Sequence, residues 1–181
     1  MNVQPGDIGF GGKRKGFYPK AVRWFTRSLW SHCFFVTPEV LGEISVLEAD
    51  LKVQLVPFQK EYIEKQADYW EVWRPTQATP EAIDMACRLT YQTQAGELYG
   101  FLQIPWFAVR AILRKLGMDL SQNWFPSGTI CSETQWIFLM FLGGEYRTAF
   151  SHLGQDECSP EDIHQVVLNR PDLFTFVDRR V

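Results

Sequence analysis

From Cys131 the chain reads Cys-Ser-Glu-Thr-Gln-Trp-Ile-Phe-Leu-Met-Phe-Leu and then meets Gly143-Gly144. Beyond its first turn a helix here has no polar face, so it must be buried on most sides. The apolar run Trp136 to Leu142 is far shorter than the ~20 residues that span a bilayer. Protein therefore has to surround it, and the rest of the sequence must supply the covering layer.

Residues 7–10 read as a short strand after the turn Pro5-Gly6-Asp7, ended by Gly11-Gly12. Helical spacing of Ala21, Val22, Phe25 and Leu29 predicts a helix over 19–29. Two apolar, β-branched or aromatic runs at 32–36 and 44–49 predict a hairpin. Alternation over 51–56 and the run at 69–74 add strands, giving an expected sheet of four or five.

The second half turns helical. Thr79-Pro80-Glu81 provides a cap, a first-turn proline and an acidic residue for a helix reaching about Gly96. A further helix is expected at 106–116, stopped by Gly117. Ser159-Pro160-Glu161-Asp162 opens a short one, and 173–177 returns to the sheet. The predicted class is α+β, and with no repeat or linker, residues 1–181 read as one domain.

A formal net charge of −3 lacks the basic excess of a nucleic-acid binder. The aromatic share of 15%, with seven Trp, is high and fits a well-filled core or a groove for an extended substrate. Cys33, Cys87, Cys131 and Cys158 form no CxxC pair, which argues against a zinc knuckle or a disulfide framework. Without a leader-like N-terminus or spanning segment, the expectation is a soluble protein, cytoplasmic by default, with no integral membrane segment and no nucleic-acid partner.

Cys131 stands at the start of the apolar helix, where unpaired N–H groups and the helix dipole favour a thiolate and an oxyanion. A nucleophile needs a base, and His32 begins an apolar strand. If the hairpin pairs symmetrically about residue 40, Val36 faces Ile44 and His32 faces Glu48, about 4.5–5.5 Å apart at Cβ. An ionised Glu48 would then fix the imidazole tautomer, whereas a slip of one residue would put it on the wrong face.

These residues resemble the circularly permuted branch of the NlpC/P60 superfamily, papain-like cysteine hydrolases of the YiiX-like kind in which the histidine strand precedes the cysteine helix. The matching segments are Pro5-Gly6-Asp7-Ile8-Gly9-Phe10, Ser31-His32-Cys33-Phe34-Phe35-Val36, Val46-Leu47-Glu48-Ala49, Tyr99-Gly100-Phe101 and Ile130-Cys131-Ser132-Glu133. The resemblance implies a small antiparallel sheet packed on the cysteine helix, and amide cleavage through a Cys131 thioester with His32 as base and Glu48 as orienter. It needs no metal or organic cofactor.

Peptidoglycan stem peptides are the expected substrate, and Tyr99 is a weaker candidate for lining the site or the oxyanion. Two alternatives stay open: a lipid-directed acyl hydrolase or acyltransferase, for which Trp106, Phe107, Trp124 and Phe125 speak, and a non-catalytic module of a larger assembly. Two features depart from the family pattern, Cys33 directly after His32 and the long aromatic stretch 102–125, a packing helix or a lid.

Overall fold

The computed structural model describes residues 2–40, 42–49, 52–66, 68–97, 113, 117, 130–155 and 158–180. Its centre is a six-stranded sheet rather than four or five strands. The strands are β1 (Ile8–Gly12), β2 (His32–Val40), β3 (Glu43–Ala49), β4 (Val53–Pro57), β5 (Tyr69–Pro75) and β6 (Phe174–Arg180). They lie in the order β4-β3-β2-β1-β5-β6, each neighbour antiparallel.

Five α-helices accompany them among the described residues: α1 (Phe17–Thr26), α2 (Pro80–Gln94), α3 (Cys131–Leu142), α4 (Gly144–Phe150) and α5 (Pro160–Asn169). A π-helix, Gln59–Gln66, follows β4. The expected helix at 106–116, like Tyr99, lies outside the described residues, apart from Leu113, which is helical.

Local chemistry explains the boundaries. Thr79 caps α2 by accepting from the Ala82 N–H at 3.2 Å, and Ser159 with Asp162 closes a capping box on α5. Gly11 and Gly12 belong to β1 instead of ending it. Glycine is needed in that strand for close approach, since a Cβ on Gly9 would lie 2.1 Å from the Phe34 ring, and one on Gly12 2.3 Å from Tyr69.

Strand alternation divides the core in two. On one side Ile8, Phe10, Cys33, Phe35, Leu47, Ala49 and Val53 pack against α3 through Cys131, Phe138 and Leu139, with Phe35 and Phe138 stacked at 4.2 Å. On the other, Phe34, Val36 and Val46 pack with Phe58 and Tyr62 and with Trp70 and Val72 of β5. As its composition requires, α3 is buried along most of its length.

Gln135 fixes α3 to the sheet. Its side chain is fully buried, and its amide donates to the carbonyl oxygens of Phe34 (3.0 Å) and Gly9 (3.4 Å), which stand opposite each other across the β1–β2 ladder.

The approach to β2 is anchored by a buried Glu71–His164 contact between residues 93 apart in the chain. His164 of α5 places Nε2 2.8 Å from Glu71 Oε1, and its ring lies edge-on to Phe10 and to Trp30, two residues before His32. Burial pushes the Glu71 carboxyl up, but hydrogen bonds from His164 and Trp73 and the charges of His164 and Arg179 hold it below the usual carboxylate range. A depressed carboxylate contributes stability above its unfolded value and loses it as pH falls through the folded one. Glu71→Gln is therefore expected to cost about 1–3 kcal/mol at neutral pH, and urea titrations should show the gap from wild type narrowing below about pH 4. A gap that stays constant into acid would refute this account.

Candidate active site

Three structural positions converge at the N-terminal end of β2. Cys131 opens α3 behind the extended N-cap residue Ile130, which carries no side-chain cap. Cys131 thus sits at the uncapped N-terminus of α3, a setting that favours negative charge. Glu133, also in that first turn, is tied through Oε1 to Gln155 Nε2 at 2.5 Å.

His32 is the first residue of β2, and Glu48 lies near the end of β3. Their register differs from the symmetric expectation: Phe34, not His32, stands opposite Glu48, Val36 opposite Val46, and Thr37 opposite Ser45. The hairpin centre is shifted because both strands extend further towards the turn than expected and the ladder is irregular between Thr37 and Val40. A change of two positions preserves the sheet face, so His32 and Glu48 meet as diagonal neighbours instead of direct ones. Nε2 of His32 lies 3.2 Å from Glu48 Oε2.

A fourth side chain joins them. Tyr62, on the π-helix, is buried, sets its hydroxyl 2.8 Å from His32 Nε2, and donates to Glu48 Oε2. Its ring runs nearly parallel to the imidazole, at 13°. Residues 59–66 carry no apolar periodicity that would point to this role. The signal available was a single tyrosine soon after the strand that pairs with the Glu48 strand.

Cys33 supplies a fifth. It faces the α3 side of the sheet, and its thiol hydrogen-bonds to the Cys131 sulfur. That contact is the largest influence on Cys131; burial opposes it, and the His32 charge and hydrogen bond add to it, so Cys131 is held well below the ordinary thiol value. Burial alone would lower His32, but the Cys131 sulfur and Glu48 outweigh it and raise the imidazole to about 10. Burial pushes Glu48 up, yet His32, Tyr62 and Gln54 together hold it below the usual range. With Nε2 engaged by Glu48 and Tyr62, Nδ1 is the ring nitrogen left for Cys131.

The resulting charge pattern is thiolate, imidazolium, carboxylate. Such a pair presents a nucleophile and a proton donor together near neutral pH. Of the residues singled out in the sequence, the fold brings Cys131, His32 and Glu48 into one group, while Tyr99 and the 102–125 stretch lie outside the described residues. Among the described residues, no group of three or more His, Cys, Asp or Glu side chains is arranged to hold a metal ion. None of the described helices is long and apolar enough to cross a membrane.

No protein-family model matches the chain, and no curated protein matches it. Among solved structures, it is similar to metalloprotein YiiX from Escherichia coli O157:H7, DUF1105, with a TM-score of 0.63 and 19% identity over 99% of each chain. At that identity the likeness establishes a shared YiiX-like α+β fold.

The four cysteines should separate by reactivity. Burial raises Cys33 and Cys158 well above the ordinary thiol value and Cys87 to about 12. Iodoacetamide at pH 6–7 is therefore expected to alkylate Cys131 alone, read by peptide mass spectrometry. His32→Gln should move the alkylation midpoint of Cys131 up towards about 8.5. Equal labelling of all four cysteines, or an unmoved midpoint, would count against the ion pair.

Proposed function

We propose that the chain is a cysteine hydrolase of the papain-like type, a permuted NlpC/P60 relative that cleaves amide bonds. One observation carries the reading: a helix-N-terminal thiol and an imidazole form a buried pair whose imidazole is held from behind by a carboxylate. The motif order along the chain and the fold shared with YiiX support the same placement.

In this mechanism the Cys131 thiolate attacks the scissile carbonyl, and the forming oxyanion meets the N–H groups at the start of α3. The His32 imidazolium gives its proton to the departing amine. Water then attacks the thioester while the neutral imidazole takes up its proton, returning thiolate and imidazolium. Glu48 keeps the charged ring oriented through both half-reactions.

The word metalloprotein belongs to YiiX. Among the described residues of this chain no group is arranged to hold a metal ion. Peptidoglycan stem peptides are the proposed substrate class, as relatives of this type commonly cleave them. The aromatic residues that would favour lipid acyl groups, Trp106, Phe107, Trp124 and Phe125, fall outside the described residues.

Purified peptidoglycan incubated with the protein should release new amino termini, with Cys131→Ala lowering the rate at least ~10³-fold. His32→Ala should do nearly as much, because the two act as a unit. Activity is expected to fall as pH rises past about 10, where the imidazolium loses its proton. Turnover that survives Cys131→Ala would sink the proposal.

A further inference from the structure

We propose that Tyr62 is a positioning residue for His32, its phenol hydrogen-bonded to both imidazole and carboxylate so that the orienter of the base is a Tyr62–Glu48 pair rather than Glu48 alone. The inference rests on reading Cys131 and His32 as the reacting pair. It assigns a role to a residue outside the cysteine, histidine and glutamate already discussed.

The hydrogen count decides the arrangement. A neutral phenol has one proton to donate and oxygen lone pairs to accept with. Burial and the neighbouring Glu48 charge keep Tyr62 protonated across the working range. Its proton goes to Glu48 Oε2, the acceptor it contacts, so towards His32 the hydroxyl oxygen can only accept. The Nε2–H of His32 then points to Tyr62 O at 2.8 Å and, more distantly, to Glu48 Oε2 at 3.2 Å. A direct His–carboxylate bond would be the shorter of the two contacts, and here it is the longer one.

The setting holds the phenol in place. Phe34 lies 4.1 Å from the Tyr62 ring and Phe58 6.0 Å, so the ring is clamped by apolar neighbours on β2 and beside the π-helix. The titratable groups that act on Tyr62 are Glu48 of β3 and His32 of β2, in contact with its hydroxyl, and, from the α3 side of the sheet, Cys33 and Cys131. A π-helix places its side chains differently from an α-helix and recurs at functional sites. Here that turn delivers a hydroxyl to a position no strand residue occupies.

Tyr62→Phe keeps the ring and removes only the hydroxyl. Glu48 then loses a donor, so its protonation, and with it the acid limb of the pH profile, moves to higher pH. Stem-peptide hydrolysis is expected to lose about tenfold to a hundredfold in kcat with little change in KM. Combined with Glu48→Gln the loss should be far less than the product of the single losses, because both substitutions break one linked unit.

Alkylation of Cys131 by iodoacetamide across pH needs no substrate, so it reports on the Tyr62 link even if the hydrolase reading fails. Its acid limb should shift upward in Tyr62→Phe. Site-specific replacement of Tyr62 by 3-fluorotyrosine, a stronger donor of the same shape, should shift that limb downward, and it serves where Tyr62→Phe does not fold. An unmoved limb, or shifts in the same direction for both variants, would overturn the proposal. Absence of peptidoglycan hydrolysis by the wild-type protein, together with the expected alkylation shifts, would remove the peptide substrate and leave the Tyr62 assignment standing.

Discussion

The hydrogen bonds from the Gln135 amide to the carbonyls of Phe34 and Gly9 set the scale on which the candidate site is built. Gln135 lies four residues after Cys131, one turn along the same face of α3. Phe34 lies one residue after Cys33 and two after His32. The distance from sulfur to its two β2 partners is therefore fixed through a single helical turn and a single strand pair. Sliding α3 by one residue, about 1.5 Å, would break both Gln135 bonds and carry the sulfur away from His32. Apolar packing such as Phe35 on Phe138 favours contact between the layers without choosing among such positions. The buried amide chooses one.

Once the layers are fixed, the charges at the site arrange themselves by what surrounds them. Two groups that become anionic, Cys131 and Glu48, flank one cation, His32, in a region where burial alone would neutralise all three. Each anion is also met by a neutral donor: the Cys33 thiol on Cys131 and the Tyr62 phenol on Glu48. These donors replace water at the two ends of the chain of charges, which is the condition for a buried ionic group to remain ionised. The imidazole, paired on both sides, keeps its proton to about pH 10.

Much of this was legible in the sequence wherever the signal was local. The helix Cys131–Leu142, the caps Thr79 and Ser159, and the strands at β2 and β3 follow from periodicity and capping chemistry within a few residues. Pairing register was less accessible, because Pro38, which lies in the irregularity between Thr37 and Val40, reads as a connector residue as readily as a break inside a longer strand. The diagonal meeting of His32 and Glu48 survived because the shift is of two positions, which keeps both side chains on one face. Tyr62 and the Glu71–His164 pair escaped notice for another reason. Their partners lie 14 to 93 residues away, and nothing along the chain distinguishes them from surface polar residues.

Consecutive strand residues point to opposite faces, and His32 and Cys33 are consecutive. Cys33 belongs to the face packed on α3, while His32 shares the other face with Phe34, Glu48 and Tyr62. Both nevertheless contact Cys131. In the middle of a sheet this is impossible, because neighbouring strands close the path from one face to the other. At the first residue of β2 the ladder has just begun, with Gly11 opposite His32, a residue without a side chain to block the passage. The N-terminus of α3 can reach this end of the strand, where a thiol on one side and a carboxylate on the other share one imidazole. The position of His32 at the strand start is what lets one imidazole contact a thiol from one face of the sheet and a carboxylate from the other.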